Sequence, residues 1–195
     1  MDVVVTSRTM AVEEALRRHV YRAAEHCPLA LAGFGGVGQA AGVPWDRLVG
    51  PLARLTGADV LADCGRYLSA DGVRPLIEAS DVVVLVTGSS LRAARSSARL
   101  VPVLCETLEL DLGDPGLSLL VVGPGRPYAS AEIAAGCGVP LLGELPDDHS
   151  AAVVWSDGAQ PGRTFHRSAL QRGARRIADL LAGTAADRAV TGSVR

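Results

Sequence analysis

Along the chain, short unbroken apolar runs alternate with stretches in which apolar residues recur every three or four positions. The runs predict strands and the recurrences predict amphipathic helices. Val3 to Thr6 reads as a first strand. From Ala11 to Glu25 the apolar positions Val12, Leu16, Val20 and Ala23 follow a helical period, with Glu13/Arg17 and Glu14/Arg18 as favourable i,i+4 pairs. Leu29 to Ala32 is a second strand, Pro44 to Leu55 a helix stopped by Gly57, and Asp59 to Asp63 a third strand. A short helix near Val73 to Ala79 leads to a strand at Asp81 to Thr87, and then to a long helix from Ser90 to about Leu110, with a kink expected at Pro102. Leu117 to Gly123, Ser130 to Cys137 and Pro140 to Leu145 add strand, helix and strand. His166 to Leu181 closes the order as an amphipathic helix carrying Leu170, Ala174, Ile177 and Leu181 on one face.

The runs at 82–86 and 117–122 do not alternate with polar residues, as expected of strands covered on both faces. Strand–helix alternation of this kind predicts an α/β fold: an open, mostly parallel, doubly wound sheet. One domain is expected over 1–183, followed by a disordered tail at 184–195.

Composition narrows the function. Hydrophobic residues make up 48% of the 195 positions and aromatics 4%, so the core is aliphatic. A formal charge of -2 carries no direct nucleic-acid signal, and no run reaches the length of a membrane span. Met1-Asp2-Val3-Val4-Val5 lacks the basic start of a signal peptide. Cys27, Cys64, Cys105 and Cys137 stand more than 30 residues apart, which excludes a C-x-x-C pair and fits reduced thiols in the cytoplasm. All 19 basic residues counted as Lys+Arg are arginine; the chain holds no lysine.

Three stretches could carry chemistry. In "LAGFGGVGQAAG", Gly33, Gly35 and Gly38 spell G-x-G-x-x-G after an apolar run. A dinucleotide fold needs a helix immediately after these glycines and an acid about 20 residues on. Here Gly42 and Pro44 interrupt the helix, and Asp63 lies 30 residues after Gly33. The stretch therefore reads first as a glycine-rich surface loop, with an NAD(P)-binding oxidoreductase as the alternative. A Walker A loop is ruled out, because it requires a lysine bridging the β- and γ-phosphates. In "ADVLADCGRY", Asp63 closes a strand and Gly65 follows, either as a simple turn or as a carboxylate ordering the water around Mg²⁺. Cys64 has no histidine near it in sequence and reads as a small buried thiol. In "VVGPGRPYASAEIA", Ser130 suits a helix N-cap, and Arg126 and Tyr128 read as solvated loop residues or contacts to a base or partner. His19, His26, His149 and His166 have no metal-ligand spacing.

Four pieces taken in order resemble the carboxyl-terminal part of the ParA/MinD-like family of P-loop ATPases. They are "ADVLADCGRY", "ASDVVVLVTGSSLRAARSSARLV", "LSLLVVGPGRPYASAEIAAGCGVPLLGELPDD" and "GRTFHRSALQRGARRIADLL". The likeness covers roughly residues 45 to 183 and is strongest to divergent actinobacterial members, which often carry "D-C-G-R". The family's functional positions carry over at Asp63 and Gly65, and at Pro146 and Asp147 as the end of the last strand. They form a vestigial nucleotide site, with Asp63 an indirect Mg²⁺ contact if nucleotide binds.

The departures matter equally. The family's deviant Walker A, K-G-G-x-G-K-[ST], is missing, and so is its adenine-reading asparagine, since Val121-Val122 leads to Gly123-Pro124. The resemblance then implies either a start-truncated ATPase or an intact pseudo-ATPase. No cofactor is expected, and ATP with Mg²⁺ only if an upstream Walker A exists. The implied role is non-catalytic or regulatory, in chromosome partitioning, septum placement or pole organisation. Its partner would be a protein, either a second copy of the chain or a complete ATPase paralogue, in the cytoplasm and away from membranes.

Overall fold

A computed structural model of the chain describes residues 2–7, 9–22, 28–31, 42–65, 73–125 and 127–192. The chain divides into two compact units, 1–80 and 81–195.

In the first unit α1 (Asp2–Thr6) and α2 (Val12–His19) pack through Val3, Ala15 and Leu16, with Met10, Val12, Leu52 and Leu55 around them. The strand expected at Val3 to Thr6 is therefore a helical turn, in which Ser7 N–H donates to the Val3 carbonyl at 2.8 Å. A four-residue apolar run fits either element, and burial of Val3 against α2 decides for helix. The helix predicted over Ala11 to Glu25 stops at His19: β1 (Val20–Arg22) runs antiparallel to β2 (Leu29–Leu31), pairing Val20 with Leu31 and Arg22 with Leu29. Both Leu29 and Leu31 are exposed, so β2 is no buried parallel strand. α3 (Trp45–Ala53) and α4 (Arg74–Glu78) lie where expected, burying Leu48 and Ile77. α3 ends before the expected stop: Arg54 caps it, its N–H donating to the Gly50 carbonyl at 3.2 Å, and Gly57 lies three residues further on at a φ of 77°. The strand expected at Asp59 to Asp63 is absent: the segment has no ladder partner among the described residues, and Leu61 is 89% exposed. An extended propensity becomes a strand only where a second backbone completes its hydrogen bonds.

The second unit is a three-layer α/β structure. Its parallel sheet has the order β3 (Val83–Gly88), β4 (Leu117–Val122), β5 (Leu141–Leu145). α5 (Leu91–Leu108) and α6 (Ser130–Cys137) cross over between the strands. Thr87 points at α5, where the Ser97 hydroxyl donates to it at 2.9 Å, and the register puts Leu119 at the level of Leu85 on the same layer. On the opposite face Val86, Leu120 and Gly143 align, and Gly143 lies against Ile177 of α8 (Ala169–Gly192). β4 is therefore covered twice, with Leu117 through Val121 all buried, as its unbroken apolar run predicts. β3 departs from that expectation: Val83 to Leu85 are half-buried and only Thr87 is buried. The strand is an edge of this sheet and α8 packs over β5, so Val86 stays 57% exposed.

α5 runs through Pro102, and Ser90 caps it by accepting the Ala93 N–H at 3.2 Å. Ser130 is the first helical residue of α6 rather than its cap; Ala129 takes that place, and Glu132 accepts the Ala129 N–H at 2.8 Å. α7 (His149–Ser156) and a 3₁₀ turn at Phe165–Arg167 precede α8. α8 does not fray at 184 but continues to Gly192. Its alanine-rich end favours helix, and Arg188 anchors it by an ion pair to Asp114 at 2.7 Å.

Candidate functional site

In a parallel sheet the loops leaving the carboxyl ends of the strands gather on one edge, and that edge is where ligands bind. Here three loops are tied together. The Ser89 hydroxyl, just past β3, donates to the Gly123 carbonyl past β4 at 2.7 Å. Gly123 N–H in turn donates to the Leu145 carbonyl of β5 at 2.9 Å. Gly123 has a φ of 66°, and a Cβ there would lie 3.4 Å from the Asp147 Cβ, so glycine lets this loop close on the end of β5.

Pro146 and Asp147 thus stand at the carboxyl edge of the sheet, where the sequence places them. Beyond them Asp148 caps α7, accepting from the Ser150 hydroxyl at 2.7 Å and from the Ala151 N–H at 3.1 Å. These bonds, the Ser150 one foremost, hold the Asp148 carboxyl below the usual carboxylate range, and the Leu170 N–H adds to them.

Beside these loops opens a groove of about 430 Å³. Pro124, Pro146, Ala169 and Gly173 give it an apolar lining, and Arg172 and Arg176 add two cations one helical turn apart. Gly173 sets this geometry: a Cβ would lie 3.1 Å from Leu145 Cδ2, so α8 approaches β5 closely at the turn that carries both arginines. The Arg172 guanidinium donates to the Arg167 carbonyl. The sequence reads this stretch as a closing amphipathic helix by its apolar face and does not single out the arginines on its other side. The i,i+4 arginines flanking a glycine were the available signal.

Asp63 and Gly65 belong to the first unit. The Asp63 carboxylate accepts the Gly65 N–H at 2.8 Å, and Gly65 adopts a φ of 62°. That is a self-contained turn on an exposed segment. Cys64 between them has its thiol pushed up, by burial first and by the Asp63 carboxylate second. Burial likewise pushes up Cys105 and Cys137, so none of the three is a thiolate at neutral pH. Gly33, Gly35, Gly38, His26 and Arg126 lie outside the described residues. Among the described residues no group of three His, Cys, Asp or Glu side chains could hold a metal. No helix among them is long and apolar enough to cross a membrane.

Comparison with known proteins places the fold. A solved ParA family ATPase from Chlorobium tepidum TLS is similar to this chain with a TM-score of 0.68 at 17% identity, over 92% of this chain and 74% of that one. The chain therefore has the α/β three-layer fold seen in ParA/MinD-like P-loop ATPases. In sequence it is similar to an uncharacterized protein of Mycobacterium tuberculosis, found in two strains, at 32% identity over 139 residues. That match takes in 71% of this chain and spans 37% of the length of those relatives. No protein-family model matches.

Proposed function

We propose that this chain is a ParA/MinD-like protein without a Walker A lysine, acting as a non-catalytic or regulatory relative through protein contacts in chromosome partitioning, septum placement or pole organisation. The observation that carries the reading is the combination of a P-loop-type fold with 195 residues that include no lysine. Phosphoryl transfer rests almost wholly on positioning and on charge placed against the β- and γ-phosphates. An arginine replaces that lysine poorly, being a planar fork rather than a compact point charge. The Asp63 carboxylate already holds the Gly65 N–H, which favours a structural role in the turn. Pro146 and Asp147 are the vestige of the nucleotide edge.

The test is a titration of the chain with fluorescent ATP in Mg²⁺, with NADH and NADPH in parallel. Silence in all arms at high micromolar ligand is the expected result. Saturable ATP binding that weakens on Asp63→Ala or Asp147→Ala would overturn the reading. Saturable NADH or NADPH binding lost on Gly35→Val would replace it with an oxidoreductase.

A further inference from the structure

Charge is distributed unevenly along this chain. Its formal total is -2, yet from 158 to 178 it carries Arg163, Arg167, Arg172, Arg175 and Arg176 and no carboxylate. Among the described residues none of the five forms a salt bridge. On α8 the residues at 172, 175 and 176 fall within about a third of the helix circumference, adjoining the buried Gly173 that faces β5. Two of these cations, Arg172 and Arg176, border the proline-lined groove at the carboxyl edge of the sheet. A concave apolar lining joined to two guanidinium groups outside any salt bridge, against a single carboxylate, Glu144, in the same lining, is chemistry for a ligand that combines an apolar anchor with carboxylates.

We propose that this groove docks an acidic segment of a partner protein. An apolar side chain of that segment enters between Pro124 and Pro146, and its flanking carboxylates meet Arg172 and Arg176. The proposal rests on the reading above, that the chain works through protein contacts, and names the class of partner.

Two other polyanions fit less well. A lipid surface needs an apolar helix face free to insert, and the apolar face of α8 is spent on β5 through Ile177. A nucleic-acid strand would bring phosphates against Glu144, a carboxylate in the lining, and Asp147 stands exposed beside Gly123. A peptide offers a backbone N–H to such a carboxylate at nearly every residue, which a phosphodiester strand does not.

A random dodecapeptide display library panned against the whole chain tests this, followed by fluorescence anisotropy with the strongest selected peptide. Enrichment of Asp and Glu around a single apolar residue is expected, with binding that weakens in salt. The double variant Arg172→Glu/Arg176→Glu should lose at least about tenfold in affinity, and the α5 control Arg92→Glu/Arg99→Glu should lose less than about twofold. Far-ultraviolet circular dichroism establishes that both variants are folded. Selection of peptides without acidic enrichment, or equal losses in both variants, would overturn the proposal. So would a short oligonucleotide or phosphatidylglycerol vesicles displacing the peptide while losing affinity in the groove variant. Failure of the peptide arm with ATP still silent counts against the groove alone; ATP binding counts against the functional reading.

Discussion

Arg188 and Asp114 are 74 residues apart in sequence and 2.7 Å apart in space, joining the last turns of α8 to the loop that feeds β4. The same Asp114 oxygen accepts the Gly116 N–H at 2.7 Å, and the guanidinium lies so close over Gly116 that a Cβ there would meet it at 2.6 Å. Asp114→Ala removes both bonds and should cost about 1–2 kcal/mol, and Arg188→Ala removes one and should cost about 1 kcal/mol or less. Urea denaturation of the two variants gives the order. Equal losses would mean that the turn bond contributes nothing.

Gly143 is where α8 meets the sheet. A Cβ at this position would come within 2.5 Å of Ile177 Cδ1, and Ile177 is buried. Gly143→Ala should therefore destabilise by about 1–3 kcal/mol through overpacking. Shortening the opposing side chain in Gly143→Ala/Ile177→Val should recover part of the loss, a non-additivity that a double-mutant cycle reads directly.

The Asp148 cap makes the second unit acid-sensitive in a defined direction. Its carboxyl binds a proton less readily folded than unfolded, since the Ser150 hydroxyl and the Ala151 N–H both donate to the charged form. Its contribution is therefore complete above the ordinary carboxylate value and disappears as pH falls through the depressed folded value. The stability gap between the wild type and Asp148→Asn, followed by urea denaturation across acidic pH, should shrink on acidification. A gap that widens would contradict the capping role.

Cys64 offers a check on the Asp63 turn. Because the neighbouring carboxylate helps to hold the thiol protonated, Asp63→Asn should lower the pH at which Cys64 reacts with a thiol reagent. In a Cys27→Ser background, with Cys105 and Cys137 buried, the pH profile of the reaction rate should move toward neutrality. Burial remains the larger cause, so the profile moves only part of the way to that of a free thiol.

The elements most legible in the sequence are those whose pattern has one physical solution. Leu117 to Val122 has no polar alternation, and β4 is buried on both faces. Ser90 precedes a long helical period, and it caps α5. Val3 to Thr6 and Asp59 to Asp63 read as strands in sequence and are not, because a short apolar run takes its form from what it packs against. The first found α2, and the second has no ladder partner among the described residues. α7 was missed, since His149 to Ser156 offers one buried position, Ala151, and no full helical period. The resemblance put Pro146 and Asp147 at the end of the last strand, and they follow β5 there. The contact between Gly123 and Asp147 was not legible, because it joins two loops that only the sheet brings together.

β4 has a parallel neighbour on each edge and a helical layer on each face. Amides in that position exchange with deuterium only when the whole surrounding unit opens, so those of Leu119 to Val121 act as its slowest clock. An acidic peptide held beside β5 would slow that clock by mass action without approaching a single one of those protons. Their exchange lifetime thus reports occupancy of the groove from the interior of the sheet.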